Sequence, residues 1–469
     1  MTVSRRKFLR DGSMAFSGLV IVPRHVLGRG FIPPSDKLNI AAIGVGGKGM
    51  YNISQAWNKG AENISLLCDV DDRQAVEARK KWPSAKYYKD YREMLEKEKN
   101  SIDAVIVSTP DHMHFVQTIA VMQLGKHVYT EKPLTHDIAE ARALTEAEQQ
   151  YKVVTQMGNQ GSSGDATRKI ETWIQKGVIG DVQTVHVWTN RPTWPQGIAR
   201  PSVTDPVPSA LNWDLWLGTA PARPYHHAYL PATWRGWWDF GTGSLGDMGC
   251  HFIDVPYRAL RLGYPDKVEC SVTGVWTGFF EEAEYNESCP PSSKIHIQFP
   301  PRGNMPAVEL IWYDGGIQPK RPVELLPDES MGEIDGGIIF EGSKGKLMAG
   351  LFGRNPTLLP TRNMKESSLP ASAYAFVPGG WDGHQNQWTA ACKKGWGAYT
   401  SSPFSLAGPL TETVLMGNLA TRSYMLRVKG KEGGYSYPGR KQLLWDGKNM
   451  RITNFEPANQ FVRRDYRKF

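Results

Sequence analysis

Leu38-Asn39-Ile40-Ala41-Ala42-Ile43-Gly44-Val45-Gly46-Gly47-Lys48-Gly49 decides how the rest of this chain is read. An apolar run of strand length passes without a break into G-x-G-x-x-G. Such a run suits a strand buried on both faces of a parallel sheet. Met50 to Asn58 then reads as a helix stopped by Gly60, and Ile64 to Cys68 as a second strand ending in Asp69, twenty residues after the last glycine. The glycine pattern alone is a weak signal. Between a strand and a helix, with an acid closing the next strand, it has the context of a dinucleotide site. Gly44 permits the tight turn, Gly46 lets backbone approach a pyrophosphate, Gly49 lets helix and strand pack closely, and Gly47 completes the loop. The pyrophosphate then caps the helix N-terminus. Asp69 is placed to accept from ribose hydroxyls and to repel a 2′-phosphate, which favours NAD over NADP, with Arg73 the one neighbour that argues for a phosphate.

The alternation continues outward from that unit. Tyr91 to Glu98 is helical in pattern, Ile102 to Val107 is a strand, and Ser108-Thr109-Pro110-Asp111-His112-Met113-His114 leaves its end. A helix over about Phe115 to Leu124 follows, with Gly125 as its cap, then a strand His127 to Thr130 that runs into Glu131-Lys132-Pro133. Both polar motifs therefore leave carboxyl ends of parallel strands, where ligands bind in such sheets, and Thr109, Pro110, His114, Glu131 and Lys132 are expected cofactor contacts. A helix around Ile138 to Gln149 and a strand Val153 to Met157 close the unit. Gly158 to Gly164 is a polar crossing in which Asn159 or Gln160 can reach a nicotinamide. Further on, Asp247 and His251 stand four residues apart, on one face of a helix. An i,i+4 carboxylate can orient an imidazole for proton transfer, and an ammonium such as Lys132 favours a developing alkoxide. A helix-surface ion pair is the plainer reading of Asp247 and His251, and metal ligation, with Asp254 as a third group, is a weaker one.

Together these motifs resemble the Gfo/Idh/MocA family: the glycine turn, Thr109-Pro110 with His114 four residues on, Glu131-Lys132-Pro133, and Asp247-Met248-Gly249-Cys250-His251. The resemblance runs from about Leu38 onward and thins after Asp266. It implies an NAD-binding Rossmann domain followed by an α/β domain with a large, mostly antiparallel open sheet, often used to form homo-oligomers. It implies that Lys132 is catalytic, that Asp247 and His251 share its site, and that Glu131 borders the nicotinamide. The expected divisions are a leader at 1–35, a Rossmann domain at 36–158 and a substrate-binding domain at 159–469. The expected activity is oxidation or reduction of a secondary hydroxyl of a sugar or glycoside, giving a keto-sugar or 3-keto-glycoside. Two rivals stay open: a glycosidase or lyase that uses NAD transiently, and a non-catalytic, NAD-containing sugar-binding protein.

Trp188 to Phe240 is crowded with aromatic residues, which stack on the apolar faces of sugars. Trp188, Arg191, Trp234 and Arg235 are the expected substrate contacts there, alongside Lys132, Asp247 and His251. Core packing is an equally good account of any single Trp. His384, at the head of a helical stretch, reads as a structural loop histidine.

The net charge of +8 does not point to nucleic acid, because it is concentrated at two places. Residues 1–29 carry six Arg/Lys against one Asp, and Arg463 to Lys468 carry four against one. The body between is close to neutral, so no basic face for a phosphate backbone is expected. The second cluster reads as a solvated end. Ser4-Arg5-Arg6-Lys7-Phe8-Leu9-Arg10 followed by apolar Met14 to Val22 has the layout of a twin-arginine export signal, which implies a periplasmic or otherwise exported protein. Export of a folded protein would carry NAD out with it, and the cofactor would stay bound. No apolar run reaches the ~20 residues of a membrane span. Five cysteines without a C-x-x-C pair are expected as buried free thiols, and no metal is expected.

Overall fold

The computed structural model describes residues 36–365, 368–430 and 434–469, so the export motif lies outside the described residues. Six short strands form the first sheet: β1 (Asn39–Ile43), β2 (Asn63–Cys68), β3 (Lys86–Tyr88), β4 (Ala104–Val107), β5 (His127–Thr130) and β6 (Thr155–Met157). All pairings are parallel, in the order β3-β2-β1-β4-β5-β6. β1 and β4 are buried almost throughout, which is why their sequences are apolar without alternation. Strand order reverses between β1 and β4, and the crevice outside their carboxyl ends is where such sheets bind ligands.

Helices cross between these strands: α1 (Lys48–Trp57), α2 (Asp72–Lys81), α3 (Tyr91–Glu98), α4 (Asp111–Gln123) and α5 (Ile138–Tyr151). Asp71, Asp90 and Asp137 each cap a helix by accepting a backbone N–H of its first turn. α1 has no such cap; it begins on Gly47, and its first turn faces the crevice. α4 begins at Asp111, four residues earlier than its apolar pattern suggests, because Pro110 stands at its N-cap and pre-sets the backbone there.

The second layer opens with α6 (Asp165–Gln175) and holds a nine-stranded sheet. Its strands are β7 (Val182–Thr189), β8 (Lys267–Val272), β9 (Ser293–Phe299), β10 (Val308–Tyr313), β11 (Gly336–Gly342), β12 (Gly345–Ala349), β13 (Thr357–Leu359), β14 (Leu443–Asp446) and β15 (Arg451–Ile452). They lie in the order β13-β12-β11-β7-β10-β9-β8-β14-β15, antiparallel except for β7 beside β10. β8 joins the sheet through Val268, which is buried and pairs with Ile297 of β9.

Further helices are α7 (Trp213–Leu217), α8 (Gly243–Phe252), α9 (Asp254–Ala259), α10 (His384–Lys394) and α11 (Phe404–Met425). α11 packs on α5 of the first layer and on α8, β8 and β9 of the second. One apolar cluster accordingly runs from Val105 and Val128 through Leu410 and Val414 to Val185 and Leu310. α10 reaches back to pack on α1, burying Trp388 with Ile40 and Tyr129. Residues far beyond 158 thus complete the Rossmann layer. No described helix is long and apolar enough to cross a membrane.

The segment Arg463–Lys468 is exposed at Arg463, Asp465, Tyr466 and Lys468, as a solvated end would be, but it is tied to the body of the protein. Arg464 is only partly exposed and donates to Glu140, Tyr466 donates to the same carboxylate, and Arg467 is held by Asp214 and the Gly218 carbonyl. Its positive charge is thus partly matched by carboxylates of α5 and α7, which composition alone does not reveal.

Candidate active site

A cavity of about 980 Å³ runs along the crevice, from Asp90 and Tyr91 past the glycine turn to Lys132 and His251. It is at the upper end of the ~300–1,000 Å³ of ligand pockets. Gly44, Gly46, Gly47, Asp69, Thr109, Pro110, Glu131, Lys132, Trp234, Arg235 and His251 all line it.

The glycine turn fits a dinucleotide on steric grounds. A Cβ on Gly44, whose φ is +78°, would lie 2.6 Å from the Ser108 carbonyl oxygen, and one on Gly49 would lie 2.0 Å from the Gly44 oxygen. Gly47, at φ +47°, faces open space at the uncapped start of α1. Free first-turn N–H groups beside an open glycine form the cradle that a pyrophosphate occupies. Asp69 accepts from the backbone N–H groups of Val45 and Asp71, both at 3.0 Å, and each carboxylate oxygen keeps a lone pair for a ribose hydroxyl. Burial pushes its pKa up to about 6, against the pull of those N–H groups. Arg73 forks onto Asp71 at 2.8 and 2.6 Å, so its charge is already matched. These residues fit NAD: Gly44 to Gly49 would hold the pyrophosphate and Asp69 the adenosine ribose.

At the other end, Lys132 Nζ donates to Asp247 Oδ1 and to the Asp247 main-chain oxygen, each at 2.7 Å. Arg235 Nε donates to the same Oδ1 at 3.2 Å. Burial works to raise the Asp247 pKa, but Lys132 and Arg235 overcome it and hold the carboxyl far below its usual range. The carboxylate is therefore committed to the two cations rather than to the His251 ring. His251 packs edge-on against Phe352 with centroids 4.9 Å apart, and its Nδ1 is buried with no partner among the described residues. Burial and the neighbouring Lys132 charge depress the His251 pKa well below normal, with Asp247 opposing. The ring is therefore neutral near pH 7 and able to take a proton.

A second layer holds Glu131, which sequence reasoning singled out without its partners. Asn52 of α1 donates to Glu131 Oε1 at 2.8 Å and to Ser108 Oγ at 3.0 Å, and Gln385 of α10 donates to Asn52 Oδ1 at 2.9 Å. Asn52 lies one helical turn past the glycine pattern, facing inward, but Gln385 carries no local signal at all. Lys48 and Asp111 also line the cavity. Thr242 Oγ1 donates to Asp111 at 2.7 Å.

Several expected contacts sit elsewhere. His114 is fully buried behind the wall, its ring nitrogens 2.7 Å from the Pro133 and Thr109 carbonyls, so it ties the two polar turns together. Gln160 donates to Tyr129 OH at 3.2 Å, and Asn159 is buried with both amide atoms unpartnered; neither lines the cavity. Trp188 is buried on the far face of the large sheet with Ile311, Tyr313 and Ile339, away from the cavity. Arg191 bonds Asn190 and Asp335 and does not line the cavity, but it is near enough for its charge to lower the His251 pKa. The aromatic stretch is mainly a core of its own: Trp213, Trp216, Tyr225, Tyr229, Trp237 and Phe240 pack together. Only part of that core, including Trp216, Tyr225 and Trp234, shows a face to the cavity. His384 bridges Ser163 Oγ and the Met157 carbonyl, a structural role.

Asp254 does not join His251: its oxygens accept from Ser162 Oγ and Arg258 Nε, both at 2.8 Å. Among the described residues, Asp205, His226 and His227 bring ligand-type atoms within 4.8 Å of one another. His226 Nδ1 accepts the Ala228 N–H at 3.1 Å, which places the ring proton on Nε2 and turns that nitrogen into a donor toward Asp205. All five cysteines are free thiols.

Comparison with known proteins agrees with this layout. Residues 38–159 match the GFO_IDH_MocA model, described as an oxidoreductase family NAD-binding Rossmann fold, and residues 166–272 match the family's C-terminal alpha/beta domain. A glycosyl hydrolase family 109 protein of Shewanella sp. (strain W3-18-1) is 24% identical over 205 residues, covering 38% of this chain and 44% of that protein. An inositol 2-dehydrogenase of Rhodococcus erythropolis (strain PR4 / NBRC 100887) is 29% identical over 165 residues, covering 35% and 47%. The chain thus spans less than half the length of these curated relatives. Among solved structures, levoglucosan dehydrogenase in complex with NADH superimposes with a TM-score of 0.55 at 16% identity, covering 83% of this chain and 98% of that one. An inositol dehydrogenase homolog from Azotobacter vinelandii, complexed with NADH and myo-inositol, does so at 0.51 and 17%, covering 81% and 93%. Residues 38–159 and 166–272 thus match the two domain models of the Gfo/Idh/MocA oxidoreductase family.

Proposed function

We propose that this protein is an NAD-dependent oxidoreductase acting on a secondary hydroxyl of a sugar or glycoside. One observation carries the reading: Lys132 and His251, which are distant in sequence, line one end of the cavity whose middle is the glycine turn. Bound NAD supplies a hydride acceptor. The chain must supply everything else. Lys132, pinned by Asp247, has a remaining N–H to donate to the substrate oxygen and to favour its alkoxide character. Neutral His251 takes the hydroxyl proton; with Nδ1 shut away, Nε2 is the ring atom left to receive it. Arg235 lies over the Trp234 ring at 4.3 Å, a wall with an apolar face and hydrogen-bond donors, the pairing that suits a sugar.

NAD is favoured over NADP because Asp69 would repel a 2′-phosphate and Arg73 is occupied by Asp71. The Ser4–Arg10 motif supports export with the cofactor inside, and the large open sheet supports a homo-oligomer. A second reading draws on the glycosyl hydrolase family 109 relatives. Oxidising the carbinol acidifies the adjacent C–H, elimination then expels the glycosidic oxygen, and water addition with return of the hydride gives a free sugar with no net redox change. Mass spectrometry of products from a glycoside panel, with the redox state of bound cofactor, tests both. A keto product with bound NADH supports the first; a hydrolysed product with bound NAD⁺ supports the second. Neither product from any glycoside would sink the enzymatic assignment.

A further inference from the structure

We propose that Phe469 is a cofactor-site residue that forms part of the adenine wall, held there by the segment Val462–Phe469 acting as a strap. The proposal rests on the reading that NAD occupies the cavity. If Asp69 takes the adenosine ribose and the glycine turn the pyrophosphate, adenine lies on the far side of Asp69. The groups lining that part are Asp90 and Tyr91 at the start of α3, Met113 and Gln117 of α4, Trp216, and Phe469.

Phe469 is more than two hundred residues from any other part of this wall, so something must bring it there. The strap does so through a series of fixed points. The Val462 carbonyl accepts the Ala139 N–H at 3.1 Å. Arg464 donates to Glu140 Oε1 at 2.9 Å and to the His112 carbonyl, and its own N–H meets Asp137 at 3.2 Å. Tyr466 OH donates to Glu140 at 2.6 Å. Arg467 N–H reaches the Thr219 carbonyl at 3.0 Å, and its guanidinium holds Asp214 and the Gly218 carbonyl. Arg92 then donates to the Phe469 carbonyl, and its guanidinium covers the Phe469 ring at 4.4 Å. A phenyl ring that lines the cavity offers a π-surface for the base, and the Arg92 and Arg467 guanidinium groups, 4.4 and 5.9 Å from its centroid, hold it in place.

The test is equilibrium and stopped-flow binding of NAD and ADP-ribose to the full chain, followed by fluorescence, with thermal stability measured in parallel. For Phe469→Ala, both ligands should leave faster and bind about tenfold more weakly, the loss of roughly one stacked base. Phe469→Trp should restore binding, and Arg467→Ala, which does not line the cavity but loosens the strap and removes a guanidinium 5.9 Å from the Phe469 ring, should shift the off-rate in the same direction. The melting temperature of Phe469→Ala should stay that of the parent. Unchanged NAD and ADP-ribose binding in Phe469→Ala overturns the proposal while leaving the cofactor reading intact. A loss of affinity that Trp does not restore and that follows a lowered melting temperature also overturns it, since that is a structural role. A parent protein that binds neither ligand overturns the cofactor reading itself.

Discussion

Lys132 Nζ grips two different oxygens of Asp247, one from the side chain and one from the main chain, both at 2.7 Å. Two contacts to one residue fix the ammonium in direction as well as position, leaving its third N–H for a substrate. Asp247→Asn keeps the shape but removes the charge, and Lys132→Met removes the ammonium. Each should lower kcat by about 10²-fold or more while NAD affinity holds, because neither residue belongs to the glycine cradle. Steady-state kinetics on the substrate found by product analysis, beside NAD titration, gives the answer; full turnover in Lys132→Met contradicts the mechanism.

His251 gives a pH signature. Burial and then Lys132 depress its pKa, so it is already deprotonated at neutral pH and stays an active base well into the acid range. The acid limb of kcat/KM should therefore lie below the ~6.5 of an ordinary imidazole. Removing a like charge raises the pKa of its neighbour, so in Lys132→Met the limb of the residual activity should move toward higher pH. A limb that stays in place would separate His251 from the proton transfer.

Asp69 gives a second one, in binding rather than turnover. Its pKa of about 6 belongs to the free protein, and the ribose hydroxyls need the ionised form. NAD affinity should be flat above pH 7 and fall below pH 6, by at most about tenfold per pH unit. Binding near pH 6 should release protons, seen in calorimetry as heats that depend on the ionisation enthalpy of the buffer. Asp69→Asn should weaken NAD and abolish both effects. Pyrophosphate contacts do not titrate there, so a parent that retains full affinity at pH 5 has its ribose bonded elsewhere.

Much of the first layer was legible because its signals are local. The Gly44–Gly49 turn, Asp69 and the two polar turns at Thr109 and Glu131 all follow directly from a buried apolar strand. β3 was not legible: it is three residues long and has one exposed and two half-buried side chains. α11, the longest of the described helices, gave no amphipathic stripe because it is buried on nearly every side, and Gly408 and Pro409 read as breakers in its sequence. The aromatic stretch misled for a related reason, since composition cannot tell a ring that faces a cavity from one that faces another ring. Trp188 is the plain case: it ends a strand near the site in sequence but points to the opposite face of the sheet.

The glycine turn separates steric need from open space within a few residues. Gly49→Ala places a methyl 2.0 Å from the Gly44 carbonyl oxygen, a backbone atom that cannot yield without moving the turn. It should abolish NAD binding and lower stability. The Cβ of Gly47→Asn would meet no atom within 4 Å, but the position has φ +47° and ψ −113°, outside the left-handed region that Asn tolerates. It should fold, losing less stability than Gly49→Ala because it meets backbone strain without a clash, and weaken NAD modestly by crowding the pyrophosphate. Equal effects in the two variants, measured by melting and NAD titration, would remove the assignment of Gly49 to packing.

Two tryptophans divide core from wall in the same way. Trp213 stacks on Trp216 with centroids 4.8 Å apart, donates from Nε1 to the Arg223 carbonyl at 2.8 Å, and does not line the cavity. Trp213→Ala should cost about 3–5 kcal/mol of stability, as large-to-small changes in aromatic cores do. Trp234 does line the cavity and carries Arg235 on its ring. Trp234→Leu keeps much of the buried area but loses the flat face and the cation–π contact, worth about 1 kcal/mol. Trp234 is itself buried in the same cluster, so the change should lower the melting temperature, though less than Trp213→Ala does, and raise KM for substrate several-fold, with NAD affinity intact. If Trp213→Ala alters KM without loss of stability, or Trp234→Leu melts the protein and spares KM, the division between core and wall lies elsewhere in the aromatic stretch.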